Sequence, residues 1–364
     1  MPPDILLRHR AFWRREHTER PLVGVYLGGY LQQDIYRVAQ EGELLHPAQL
    51  VPERFFDLFL QRCEALQEFD QDLVSPLEPL NSVPWLEAML GCPIRVQAES
   101  IWAEPLLGED DAIECFEPGW DAGWVDAAVA FVRALTDVFS PAYPIAGPFL
   151  RGPADVIAAM IGATRLCYEL VDHPGEIHRL GRISAEAWTK VSDEILACIP
   201  RWEGGYVLGA RWVYAPQPCS YSSEDITAII SPEAYQRFFL PYNQVIAGHF
   251  PFGFVHRHSV SCHHLAALLD LPPGWAVEVT MDPLGPGVAD VLPKFREIQE
   301  AGRPLIVFGL NDEAEVSRLV SGLSPRGLCV IVQADTKEQA SALLALARGD
   351  PKKMGRSRSR AAIL

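Results

Sequence analysis

The chain has 364 residues, a formal charge of −16 and eight cysteines without C-x-x-C spacing. An acidic surplus of this size argues against a nucleic-acid groove, which needs clustered Lys and Arg, and scattered thiols give neither a disulfide framework nor a zinc ribbon. No secretory leader and no apolar run of about 18 residues is seen, so the expectation is a soluble, cytoplasmic protein with no membrane partner.

Residues 4–18 predict an opening helix, and Leu22-Val-Gly-Val-Tyr-Leu27 a buried strand that ends in Gly28-Gly29. A helix follows over 52–68 and a short strand over 72–75. The Pro-, Gly- and Trp-rich stretch 76–118 predicts an excursion with a small hairpin, the kind of insertion that forms part of a lid. A helix over 120–138 leads to a third strand at 143–147, and Pro153 suits a first helical position. After a helix over 174–197, Gly205–Val213 predicts the fourth strand, and Ser231 is a good N-cap for the next helix. Strands at 252–258, 276–281, 304–309 and 328–333 then alternate with helical patterns at 263–270, 288–301, 312–321 and 336–348.

Eight strands alternating with helices predict an α/β fold, a single (β/α)8 TIM barrel over residues 1–349 with an N-terminal helix and the insertion at 76–118. No G-x-G-x-x-G follows the first strand and no P-loop occurs, so dinucleotide and NTP binding are unsupported. Lys352, Lys353, Arg356, Arg358 and Arg360 form the one basic cluster, and predict a disordered basic tail over 350–364.

Chemistry concentrates near the fifth predicted strand, because five of the ten histidines lie between His249 and His264. His256 and His258 are two apart and share a strand face, so both imidazoles can reach one metal ion or one substrate group. Glu278 sits inside the next strand and Asp282 ends it. Both are catalytic candidates, since a buried carboxylate must be paired or ligated. The carboxyl ends of the remaining strands offer Tyr26, Ser75, Glu78 and Asp335 as site candidates, and Tyr30, Arg151, Tyr214, Asn311 and Gln333 as substrate-binding groups. Arg151 suits either a clamp on a substrate carboxylate or a role in fixing its loop. Tyr221 to Asp225 has the composition of a capped turn, with Asp225 a further substrate-binding candidate. Cys262, His263 and His264 fit supporting roles better than ligation.

Four segments carry a resemblance: Gly147-Pro-Phe with its following Ala-rich helix, Leu170-Val-Asp-His-Pro-Gly-Glu-Ile-His178, Ile230-Ser-Pro-Glu-Ala-Tyr-Gln-Arg-Phe-Phe-Leu-Pro-Tyr242, and the histidine strand running on to Leu265. Their order resembles the uroporphyrinogen decarboxylase superfamily, which includes the zinc-dependent methyl-corrinoid methyltransferases. The decarboxylases carry R-Q-A-G-R after the first strand and G-H-G near the C-terminus. Here those places read Tyr26-Leu-Gly-Gly-Tyr30 and Val332-Gln-Ala-Asp335, a poor host for an octacarboxylate.

The methyltransferase branch holds zinc with H-x-C and a later Cys. The resemblance places His256 on the family His and His258 on the family Cys, with Gln333, Asp335 or Glu278 as the third ligand. It implies zinc, or another divalent ion, as cofactor, and as partners a small-molecule substrate and a corrinoid protein that donates a methyl group. A homodimer is left open. Two alternatives are a metal-free decarboxylase acting on a small acid and a non-catalytic cofactor-binding barrel.

Overall fold

The computed structural model describes residues 3–28, 31–98, 101–108 and 111–349. Tyr30 and the basic tail lie outside them. The core is a mixed α/β arrangement around one six-stranded sheet: β1 (Leu22–Leu27), β2 (Cys219–Ser223), β3 (Phe252–His258), β4 (Trp275–Thr280), β5 (Leu305–Leu310) and β6 (Leu328–Ala334), in the spatial order β1-β6-β5-β4-β3-β2. Every pairing in it is parallel. Strands such as Leu-Ile-Val-Phe in β5 are near-continuous apolar runs because helices cover a parallel sheet and leave little of it wet. The helices Val288–Glu300 and Glu313–Gly322 are crossovers of the kind that parallel pairing requires, and Lys337–Ala347 follows the last strand.

Three of the eight expected strands differ. Segment 72–75 is not a regular strand: Asp72 gives its amide to the Val23 carbonyl at 2.8 Å, while its carboxylate accepts from the Val23 amide at 2.9 Å. Segment 143–147 contributes an isolated parallel bridge, Leu77 to Ile145. Prolines at 76, 144 and 148 remove the donors that longer ladders need. Gly205–Val213 is not the fourth strand. It folds back on itself, the Leu208 amide bonding the Val213 carbonyl at 2.9 Å, with Ala210 and Trp212 at φ of 58° and 59°. The second strand of the sheet in chain order is instead β2, whose sequence Cys-Ser-Tyr-Ser-Ser lacks the apolar run that marks the others.

A second parallel bridge joins Arg151 to Ser223, with the Gly152 amide 2.6 Å from the Ser223 carbonyl. A hydrogen-bonded path therefore runs from β1 through 72–77 and 144–152 to β2. The excursion contains Ile94–Val96 and Ile101–Ala103, which pair antiparallel and take Leu44–Leu45 as a third strand. The expected helix at 263–270 is two 3-10 segments, Ser259–His264 and Ala267–Asp270. All eight cysteines are free, and no helix among the described residues is long and apolar enough to cross a membrane.

Candidate metal and active site

At the carboxyl end of β3 the side chains alternate. His256 and His258 face a cavity of about 820 Å³, whereas Arg257 between them points the other way and is fully buried. Its guanidinium meets Glu224 Oε2 at 2.9 Å and the Tyr235 hydroxyl at 2.5 Å. Glu224 is also fully buried and accepts from the Ala154 amide at 3.0 Å and from Asn243 at 2.8 Å. The next residue, Asp225, turns to the opposite side and faces the cavity.

There Asp225 Oδ1 lies 3.4 Å from Nε2 of His256 and 3.5 Å from Nε2 of His258. The three donor atoms fall within 4.8 Å of one another. Each ring's other nitrogen is held by a carboxylate: His256 Nδ1 by Glu278, and His258 Nδ1 by Asp282 at 2.5 Å. This is the carboxylate–histidine arrangement that fixes a ligand's tautomer and ring orientation. Glu278 is buried in β4 and also accepts from Arg211 Nε at 2.8 Å and the Thr280 hydroxyl at 3.1 Å. Asp282 accepts from Ser259 at 2.9 Å. The pairing of β3 with β4 sets His256 opposite Glu278.

The charges follow from these contacts. Burial raises the Asp225 carboxyl, but hydrogen bonds from the two imidazoles outweigh it and hold the group well below the usual carboxylate range. Burial disfavours a charged His258, yet hydrogen bonds to Asp225 and Asp282 lift it to about 9. His256 is also raised, burial being overcome chiefly by the Glu278 charge. Glu278 itself is brought down to about 2, because Arg211 and His256 outweigh its burial. With no cation bound, His258 therefore keeps its proton at neutral pH, and a metal ion must displace it.

Of the residues expected to complete a ligand set, Gln333 lines the cavity wall, Asp335 is exposed, and Glu278 supports a ring from behind. The carboxylate that the structure groups with both outer ring nitrogens is that of Asp225, a substrate-binding candidate in a segment whose polar composition reads as a turn. Tyr214 is not a cavity group: it is fully buried, and its hydroxyl donates to the Glu203 carbonyl at 3.1 Å. Asn311 is exposed outside the cavity, its carbonyl accepting from Gln339 at 3.2 Å. Arg151 does line the cavity, 3.5 Å from the fully buried Glu87. His263 and His264 bond the carbonyls of Ile230 at 3.2 Å and Thr227 at 2.8 Å, so they brace the loop that presents Asp225. Glu78, a candidate from the carboxyl end of the second expected strand, lines the cavity; Arg211 is a cavity group that no motif marks as functional, and it gains its place only through the fold-back at 208–213.

Comparison with known proteins finds no matching family model and no matching curated protein.

Proposed function

We propose that this chain is a divalent-metal-dependent group-transfer enzyme, with zinc as the favoured ion and His256, His258 and Asp225 as its ligands. The observation that carries the reading is the convergence of two imidazole Nε2 atoms on one carboxylate oxygen at 3.4 and 3.5 Å. Bonds of about 2.0–2.1 Å in tetrahedral geometry require neighbouring ligand atoms roughly 3.3 Å apart; both separations from Asp225 are close to this, and all three donor atoms lie within 4.8 Å of one another. Two neutral nitrogens and one carboxylate oxygen also suit a borderline ion.

When bound, such an ion supplies Lewis acidity and a nucleophile activated at neutral pH. The chain's own residues do the rest. Glu278 and Asp282 aim the rings, Ser223 donates to Asp225 Oδ1 at 3.1 Å, and the apolar walls, among them Phe254, Met281 and Phe308, limit water around the reacting groups.

We read the sheet as the regular part of a closed (β/α)8 barrel, with segments 72–77 and 144–152 as its two irregular members. The bridges from β1 to β2 through those segments support this. The site then lies at the carboxyl ends of the strands, where barrels of this kind place their chemistry. Methyl transfer from a corrinoid protein is the form of group transfer that the sequence resemblance favours.

A metal-free lyase is the second reading, and the proton held by His258 favours it, since such a group can protonate a carbanion. Metal analysis of untagged protein purified without chelator separates the two. One equivalent of zinc, lost in His256→Ala and in Asp225→Asn, supports the first reading; protein that stays metal-free under zinc titration overturns it in favour of the second.

A further inference from the structure

We infer that the cavity takes a substrate with an organic ammonium group on an apolar body, and that Glu78 is the carboxylate that receives the ammonium. This rests on the reading above only in taking the cavity beside the triad as the substrate site.

The guanidinium groups of the cavity are already committed, and the protonated His258 is held between Asp225 and Asp282. Arg62 bonds both oxygens of Asp34 at 2.5 Å, Arg211 pairs with Glu278 at 2.8 Å and bonds Thr280 at 3.0 Å, and Arg151 stands 3.5 Å from buried Glu87. An incoming carboxylate or phosphate would have to compete with a carboxylate of the protein for each of them. Asp225 and Asp282 on the same wall would repel it further.

Glu78 is the reverse case. Among the described residues it forms no ion pair. Its carboxyl accepts from the Asn81 amide at 2.9 Å and the Ala210 amide at 3.2 Å, and it lines the cavity half-buried. Burial pushes it up to about 7 against those hydrogen bonds and the more distant charges of Arg211 and Arg62. A cation in contact is the missing partner for a carboxylate in such surroundings.

The walls nearby are aromatic. Tyr26, Phe59, Phe149, Trp212, Phe254 and Phe308 all line the cavity. Tyr26 stacks on Trp212 with centroids 5.6 Å apart and planes 19° from parallel, and Trp212 is two residues from the amide that holds Glu78. The face of Phe308 already carries a cation, the Arg211 guanidinium 4.1 Å from the ring centroid. Aromatic faces beside an uncompensated carboxylate are the chemistry that recognises alkylammonium groups. A volume of about 820 Å³ accommodates an organic body of drug-like size.

The test is calorimetric titration of the full chain, at physiological ionic strength, with benzyltrimethylammonium, benzyl alcohol and phenylacetate. The first should bind with one-to-one stoichiometry and roughly tenfold or more tighter than the other two, the scale of a charge-assisted contact. Glu78→Gln keeps the side chain's shape and one of its two acceptor oxygens while removing the charge, and should bring the ammonium and the alcohol close to parity. If that variant fails to fold, the wild-type ranking alone decides. Phenylacetate binding as tightly as the ammonium, no binding of any of the three, or a preference untouched in folded Glu78→Gln overturns the inference. Zinc titration of the same protein keeps the two proposals apart. Zinc bound without ammonium preference leaves the metal reading standing and this one refuted, whereas ammonium preference without zinc does the opposite.

Discussion

Nδ1 of His258 lies 2.5 Å from Oδ1 of Asp282, and that carboxylate also receives the Ser259 hydroxyl at 2.9 Å. Asp282 is therefore shared between a ring and the turn that follows it, so ring orientation and loop position are set together. Asp282→Asn should lower zinc affinity about 10- to 100-fold, the range for groups that support a ligand from behind, while Asp225→Asn and His258→Ala should remove most of the bound metal. Cys262→Ala should leave it in place. Competition titration with a chromophoric chelator checks all four, and unchanged affinity in Asp282→Asn would detach this carboxylate from the site.

Behind the triad, Arg257 and Glu224 form an ion pair at 2.9 Å with no exposure of either side chain. Removing one partner leaves the other charged, buried and without its counter-ion. Arg257→Met should cost about 3–5 kcal/mol in denaturant unfolding. The double change Glu224→Gln with Arg257→Met should recover a good part of that loss. A single variant as stable as the wild type would show that water reaches Glu224.

Gly152 has ordinary backbone geometry for any residue, but a Cβ there would strike the Ser222 hydroxyl and come within 2.5 Å of Glu224 Cγ. Gly152→Ala should destabilise the fold by about 1–3 kcal/mol through overpacking. Because the strain falls on the residue before Asp225, zinc affinity should drop as well. A thermal melt and a zinc titration on the same sample test this; a loss of stability with full zinc affinity would separate residue 224 from residue 225.

His9 is fully buried. Its Nε2 lies 2.8 Å from the Asp72 carbonyl, and its Nδ1 accepts from the Tyr214 amide at 3.1 Å. Both nitrogens of the neutral ring are thus used, and burial lowers the group from 6.5 to about 4. His264, with burial again the main cause, is also lowered to about 4. In the unfolded chain both rings take up a proton near pH 6.5, before the folded chain does. Their contribution to stability is therefore complete above pH 6.5, declines as the pH falls, and is gone below about 4. For His9 it is on the order of 3 kcal/mol. Raised carboxyls such as Glu78 act in the opposite sense over the same interval, so the test is the difference between variants: on going from pH 7 to pH 4 the urea midpoint of His9→Gln should gain on that of the wild type. Identical pH dependence in the two proteins would contradict the neutral, buried ring.

The four strands from β3 onward were legible in the sequence to within about a residue, because parallel strands covered on both sides are written as continuous apolar runs. The same logic hid β2. Its residues Ser220, Ser222 and Ser223 give no apolar signal, and the more apolar Gly205–Val213 drew the assignment although Ala210 and Trp212 sit at positive φ. In the site, the H-x-H pair was visible because period-two spacing on a strand fixes a shared face. Asp225 was legible as a substrate-binding candidate but not as a neighbour of the two imidazoles, since nothing local says that a polar pair, Glu224-Asp225, will split across the sheet. Arg211 meets the site only through the fold-back at 208–213, a tertiary event with no periodic signature, whereas Glu78 was legible from its place after the second expected strand.

That alternation on β3 also governs how the molecule assembles. Pairing of β3 against its neighbours in the wrong register by one residue would drive Arg257 into the cavity and both imidazoles against the helix that carries Tyr235. The ion pair with Glu224 and the triad would be lost in one step. A misregistered chain therefore has no half-built cluster: convergence of Asp225, His256 and His258 reports that the central strands have zipped correctly.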